Sequence, residues 1–349
     1  MNPDVLKRLS SAGLLSEEVK DLGNVPTGSY ALNRIISGDY SKGIPIGGIT
    51  QFHGESSTAK TVFATHILRE AQRKGYYAML VDSENAFNPD FAESLGLDPK
   101  KLIYAAPSTI ESCFETIHKT ITEIREEDKD TPIVIAYDSI AVSPSKAEFE
   151  AENYEGNNML GAIRAKATGS CLRRINPILR YSKVALVIIN QLRSKVGVMY
   201  GSPDTMAAGG RSLEYYLAVN LKCISNKTSD LLKDELKNVI GIKGTIRNTK
   251  NKVSVPFQEC EFELKWAPYG KGLDKETGLV KLLEKDSKIK RNGAWYSLEG
   301  TDKKFQAKDF SSLLYDSKEK TFDKLRKYLG ITLQNNSQSS IIEQEVENA

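Results

Sequence analysis

Residues 54–61 read Gly-Glu-Ser-Ser-Thr-Ala-Lys-Thr, one residue away from a phosphate-binding P-loop, and the apolar run Ile49-Thr50-Gln51-Phe52-His53 leads into them. The pattern demands a strand, a tight backbone loop and a helix in that order. The loop N–H groups and the helix dipole then both favour an anion. In such a unit Gly54, Glu55, Ser56, Ser57, Thr58 and Ala59 form the cradle, Lys60 reaches the β- and γ-phosphates, and Thr61 holds Mg²⁺. The pattern asks for Gly where Ala59 stands, so a positive φ at that position carries a conformational cost. A Ser/Thr-rich turn capping a helix is the plainer alternative for the same residues.

The segments around this motif alternate between strand and helix. Tyr76 to Val81, Leu102 to Ala106, Ile133 to Tyr137 and Val184 to Ile189 are short apolar runs, partly β-branched, of the kind buried in parallel sheets. Between them lie helix-length stretches, Thr61 to Lys74, Thr109 to Glu126 and Met159 to Arg180. The order implies an α/β fold, a mostly parallel twisted sheet flanked by helices. After Leu213 the candidate strands Val219 to Ile224, Val239 to Arg247 and Phe257 to Trp266 are separated by turns and suggest an antiparallel extension of that sheet. The charged stretch Ser229 to Lys237 reads as a surface hairpin or short helix.

Composition narrows the function classes. Hydrophobic content of 40% with 27% charge over 349 residues suits a globular chain of one large domain and one small one. No apolar run is long enough to span a bilayer, and the first 22 residues lack a secretory h-region, so a cytoplasmic protein with no membrane role is expected. Cys113, Cys171, Cys223 and Cys260 are scattered without a CxxC, which speaks for core thiols rather than a zinc site or disulfides. His53, His66 and His118 read as structural. Residues 281–333 carry thirteen Lys/Arg against eight Asp/Glu, while 334–349 carry three Glu and no base, the composition of a disordered acidic tail. A solvated surface and a nucleic-acid contact are both open readings of the basic region.

Three strand ends fall where nucleotide chemistry would want polar groups. Ile133 to Asp138 is an apolar strand ending in an acid, the form of the second nucleotide motif whose Asp supports Mg²⁺. Asp82-Ser83-Glu84 closes the strand before it and would offer a general base at the rim. Asn190-Gln191 ends a third strand with amides able to sense a γ-phosphate. A helix cap or a solvated loop acid would explain either carboxylate alone, but parallel strands bring their carboxyl ends to one crevice.

In its P-loop, in Val81-Asp82-Ser83-Glu84-Asn85-Ala86-Phe87-Asn88-Pro89, in Asn190-Gln191-Leu192-Arg193-Ser194-Lys195-Val196-Gly197-Val198-Met199, in Lys250-Asn251-Lys252-Val253-Ser254-Val255-Pro256-Phe257 and in Gly293-Ala294-Trp295-Tyr296-Ser297, the chain resembles the RecA family of recombinases, including the bacteriophage UvsX type. These matches run collinearly from about Gly28 to Ser297. The resemblance implies a RecA-like P-loop ATPase core over 28–269, a small C-terminal α/β domain over 270–333, a tail over 334–349 and an N-terminal segment, 1–27, that docks on the next subunit or packs on its own core. It implies ATP and Mg²⁺ as cofactors, with Lys60 and Thr61 on phosphate and metal, Glu84 as catalytic base and Asp138 supporting Mg²⁺. Phe91 and Tyr269 would flank the nucleotide, and Gln191 would couple the γ-phosphate to DNA. Lys250 and Lys252 match the pair that reaches the neighbouring subunit's ATP, so hydrolysis would require a filament.

The same resemblance sets the expected partners: single-stranded DNA, double-stranded DNA and further copies of the chain, with single-stranded DNA-binding and loader proteins in reserve. Leu192 to Gly210 reads as a long glycine-rich loop in which Arg193, Lys195 and Arg211 meet phosphates while Met199 and Tyr200 stack on bases. A first DNA loop is expected near Glu152 to Gly161, feeding a helix with Arg164, Lys166, Arg173 and Arg174. Its spacing departs from the bacterial pattern by about two residues, so Arg164 and Lys166 compete for one role. The expected activity is an ATP-dependent recombinase that pairs and exchanges DNA strands. A non-hydrolysing mediator that lost turnover through Ala59 and a hexameric motor on the same core are the alternatives.

Overall fold

The computed structural model describes residues 4–5, 7–8, 21–151, 160–194, 205–207, 210–226 and 229–333. Its centre is the strand β3 (Ile49–Gly54), which pairs in parallel with β7 (Val184–Ser194) on one side and β9 (Leu217–Ile224) on the other. Beyond β7 the parallel order continues through β6 (Ile133–Asp138), β4 (Tyr77–Asp82) and β5 (Leu102–Ala105). All six residues of β6 are buried, so this strand needs apolar side chains on both faces and shows no alternation.

Helices cover both faces. On one, α2 (Lys60–Arg73) lays Phe63, Ala64, Ile67 and Leu68 against Phe52, Val134 and Val187. On the other, α4 (Ile110–Glu127), α6 (Leu160–Tyr181) and α7 (Gly210–Tyr216) cover Ile49, Ile135, Leu186 and Ile188. The start of α4 is fixed by a reciprocal cap in which Thr109 and Ser112 each accept from the other's backbone N–H. Buried Cys113, Cys223 and Cys260 and half-buried Cys171 are core thiols, as expected. His66 is a core histidine, its Nε2 accepting from Leu273 N at 3.0 Å.

The antiparallel extension begins one strand later than the turn-rich sequence suggests. Val219 to Ile224 lies within β9, which is parallel to β3, because the chain crosses from β7 through α7 before re-entering the sheet. Direction reverses only at β11 (Val239–Asn251), followed by β12 (Glu259–Lys265) and β13 (Gly272–Leu273). Ser229 to Lys237 supplies the short β10 (Leu231–Lys233), a hairpin partner of β11. The expected long loop after Leu192 is also narrower: β7 continues to Ser194 and pairs with β8 (Thr205–Ala207), so strand pairing joins the two ends.

The C-terminal region carries α8 (Leu279–Lys285), a three-stranded antiparallel sheet of β14 (Ile289–Asn292), β15 (Trp295–Leu298) and β16 (Lys304–Phe305), and the short helices α9 (Phe310–Tyr315) and α10 (Asp323–Leu329). It is seated by α1 (Tyr30–Ser37), a helix capped by Ser29 at its start and Gly38 at its end. Arg34 of α1 holds Asp286 in a two-pronged ion pair, Nε–Oδ2 2.8 Å and Nη2–Oδ1 2.9 Å, and Tyr40 donates to the same carboxylate at 2.9 Å. Replacing Arg34 by Ala leaves a largely shielded carboxylate with one donor. Thermal or denaturant unfolding should show a loss of about 2 kcal/mol; a change within experimental error would mean that α1 is seated by apolar packing alone.

Candidate nucleotide and DNA site

The site is built where β3, β4 and β6 end, beside Gln191 of β7. Their register sets Asp82 beside Asp138 and Gly54 beside Gln191, so these strands bring polar groups to one edge. From β3 the chain enters the loop 55–59 and then α2. Ala59 stands at the start of α2 with φ 65°, ψ 16° and gives no side-chain cap, and the first turn carries no acid. The start of this 14-residue helix thus has neither a side-chain cap nor an acid, and its positive dipole end fits a phosphate.

Lys60 is buried and its ammonium donates to Gly54 O at 3.2 Å, Glu55 O at 2.5 Å and Thr58 Oγ1 at 3.4 Å. The loop therefore closes around a positive charge that lies at the helix start. Thr61 Oγ1 donates to Asp138 Oδ2 at 2.7 Å. Burial, then the nearby Glu84 and Asp82 carboxylates, push the Asp138 carboxyl up to about 6 against the opposing effects of Thr61 and Lys60. Of the three acids only Asp138 touches the Thr61 hydroxyl, while Glu84 and Asp82 lie close enough to act on its charge. Among the described residues no set of three or more His, Cys, Asp or Glu is arranged to cage a metal. Thr61 and Asp138 offer the one or two oxygens that a Mg²⁺ ion would take from protein, the rest of its shell being water and phosphate.

Glu84 lies just past β4, its backbone N–H held by Asp82 Oδ1 at 3.1 Å. Its Oε1 accepts from Ser139 Oγ at 2.7 Å and from Gln191 Nε2 at 3.0 Å. Asp82 Oδ2 in turn accepts from Phe87 N at 2.9 Å and from the Tyr104 hydroxyl at 3.1 Å. A cavity of about 80 Å³ is lined by Thr61, Asp82, Glu84, Phe87, Phe91 and Asp138, which brings the metal, base and aromatic candidates to one place. Phe91 lies on α3 (Pro89–Ser94), started by Asn88, whose side chain accepts from Phe91 N at 2.9 Å, and by Pro89 at the first helical position. Sequence reasoning assigns no role to Ser139, Ser83 or Tyr104. Their hydroxyls become legible only once the strand register is known.

Ala59 occupies the left-handed region that its glycine counterpart would enter freely. Its methyl packs on the buried cluster Val62, Leu95, Ile242 and Leu264, beside a cavity of about 380 Å³ that Trp266 and Leu231 also line. Strain of roughly 1 kcal/mol is thus opposed by burial of one methyl group, worth about 0.8 kcal/mol. Tyr269 lines neither cavity, and its hydroxyl donates to Asp234 at 3.2 Å in the β10–β11 turn. Lys250 and Lys252 also line neither. They sit at the far end of β11, where their ammonium groups donate to the Glu214 and Tyr215 carbonyls at the end of α7, the second at 3.2 Å.

Of the DNA candidates, Lys166 and Arg173 are exposed on α6, seven residues and about two turns apart, hence on one face. Arg164 instead grips Glu148 of α5 (Lys146–Phe149) through both prongs, Nε–Oε2 at 2.6 Å and Nη2 to Oε1. That separates the two competing positions. For Arg193 and Arg211 only the backbone is described, in β7 and α7, and Lys195, Met199, Tyr200, residues 152–159 of the first loop and the tail lie outside the described residues.

The RecA N-terminal domain family matches residues 8–274. The chain is 34% identical over 287 residues to Protein RecA of Kineococcus radiotolerans, covering 82% of this chain and 77% of that one. It is 36% identical over 275 residues to Protein RecA of Symbiobacterium thermophilum (78% and 73%), and 33% identical over 321 residues to that of Nocardia farcinica (91% and 87%).

The state of Asp138 gives a stability test. The folded carboxyl takes its proton near pH 6, an unfolded one near about 4. The folded chain binds more protons in between, so without metal and nucleotide its stability falls as pH rises from about 4 to about 6. Asp138→Asn removes that loss and should raise stability at pH 7 by roughly 1–3 kcal/mol in unfolding without Mg²⁺; equal or lower stability would contradict the crowding of carboxylates. Ala59→Gly exchanges strain for lost packing and should move stability by less than about 1 kcal/mol, whereas a larger gain would show that the methyl is poorly housed.

With the strand-loop-helix geometry, the Thr61–Asp138 contact and kinship over most of the chain in agreement, this chain belongs to the RecA family, the ATP-dependent recombinases of DNA recombination and repair.

Proposed function

We propose that the P-loop and its neighbouring strand ends form an ATP hydrolysis site completed by a second copy of the chain, and that β7 links this site to single-stranded DNA. The observation that carries the reading is the Gln191–Glu84 hydrogen bond of 3.0 Å. Gln191 lies on β7, which pairs with β8 just beyond it, so DNA contact along that strand and the state of the base Glu84 act on one side chain.

In this reading ATP bound with Mg²⁺ supplies a γ-phosphoryl group open to attack by water. Lys60 exchanges carbonyl partners of the loop for phosphate oxygens, and Thr61 with Asp138 holds the metal side. Phe91 and Tyr269 flank the base, Tyr269 after leaving Asp234. Lys250 and Lys252 leave the end of α7 to neutralise charge at the neighbouring subunit's phosphate. Lys166, Arg173, Arg193, Lys195 and Arg211 meet DNA phosphates and Met199 and Tyr200 stack on bases, while Arg164 serves to join α6 to α5. Residues 281–333 offer a basic surface for duplex. A mediator without turnover is not favoured, because Glu84 is held in place by two donors at the site's rim.

ATP turnover measured with and without single-stranded DNA over a range of protein concentrations should rise cooperatively with both. Lys60→Ala should abolish turnover while leaving the fold intact, and DNA binding without any turnover in the unaltered chain would overturn the proposal. Lys166→Ala should weaken DNA binding and lower the slope of log affinity against log salt by about one; Arg164→Ala should leave that slope unchanged.

A further inference from the structure

We infer that Ser139 is the positioning residue of the hydrolytic base, fixing Glu84 by one oxygen so that the other faces the attacking water. The inference rests on the reading of Glu84 as base. Glu84 Oε1 already receives two donors, Ser139 Oγ at 2.7 Å and Gln191 Nε2 at 3.0 Å, which leaves Oε2 as the oxygen able to accept a water proton.

The two donors differ in how firmly they are held. Gln191 is the last-but-three residue of β7, and its side chain is exposed at the bond to Glu84. Ser139 is fully buried and clamped from three sides. Its N–H donates to Ser83 Oγ at 3.1 Å, while its carbonyl accepts from Ser83 Oγ at 3.0 Å and from Ser143 Oγ at 3.3 Å. Ser143 is itself fixed by the buried Tyr137 hydroxyl at 2.7 Å. A hydroxyl has one proton to donate, and here its acceptor is Glu84. When Gln191 turns toward a γ-phosphate, Ser139 remains as the anchor that keeps the carboxylate from swinging into solvent. Position rather than affinity is then its contribution, since a misplaced base loses rate without losing substrate.

Single-stranded-DNA-stimulated ATP hydrolysis by the full chain tests this. Ser139→Ala should lower kcat by about 10- to 100-fold with the KM for ATP within about threefold of wild type. Assembly on single-stranded DNA with a non-hydrolysable ATP analogue should be unchanged, and Ser139→Thr, which keeps the hydroxyl, should recover most of the lost rate. Unchanged kcat in Ser139→Ala would overturn the inference. So would a loss shared equally by kcat, ATP affinity and assembly that Ser139→Thr fails to restore, because that pattern is structural. Glu84→Gln separates the two levels: full turnover in that variant would sink the role of Glu84 itself, whereas a dead Glu84→Gln beside a normal Ser139→Ala would sink only the role of Ser139.

Discussion

Three parallel strands, β3, β4 and β6, end at one edge of the sheet beside Gln191 of β7, and the chemistry of the site depends on that alignment. Asp82 is in register with Asp138, and Gly54 with Gln191. A slip of one residue in β4 or β6 would turn its terminal acid to the opposite face. The register is secured by burial on both faces, with residues such as Val134, Ile135, Val187 and Ile188 wholly out of solvent. Apolar packing of the sheet interior therefore fixes the geometry of polar groups at its rim.

Those groups form an electrostatic arrangement that is incomplete without a ligand. Lys60 brings a positive charge to a helix start that also favours anions, while Asp138, Asp82 and Glu84 crowd together a few residues away. Burial first, and then the nearby Glu84 and Asp82 charges, disfavour the ionised carboxyl of Asp138. A phosphate on the lysine side and a divalent ion on the acid side would relieve both. Perturbed carboxyls beside a buried cation are a common pattern at functional sites.

Much of this was legible in the sequence, and the exceptions have physical causes. The P-loop unit, the four parallel strands and the acids at their ends follow from apolar runs bounded by polar residues, which burial on both faces requires. Val219 to Ile224 was misplaced in direction because a turn-rich stretch says nothing about crossover, and α7 is only seven residues long. Ser139 was hidden because a serine after a strand-ending acid has no pattern of its own. Its part emerges from contacts with Ser83 and Glu84, 56 and 55 residues away in the chain. Ala59 shows the reverse case, where a departure from the motif was visible but its housing against Val62 and Ile242 was not.

In the proposed function the hydrolytic site is shared between two copies of the chain. Within one chain, Lys250 and Lys252 rest on the end of α7 and line neither cavity at the P-loop. Mixing Lys60→Ala chains with Lys252→Ala chains on single-stranded DNA tests this most directly, because each lacks a different half. If the halves meet at a head-to-tail interface, an equal mixture of two inactive proteins should regain turnover at about a quarter of its interfaces. If the mixture stays as inactive as its components while both bind DNA, the site belongs to single chains and the account is wrong.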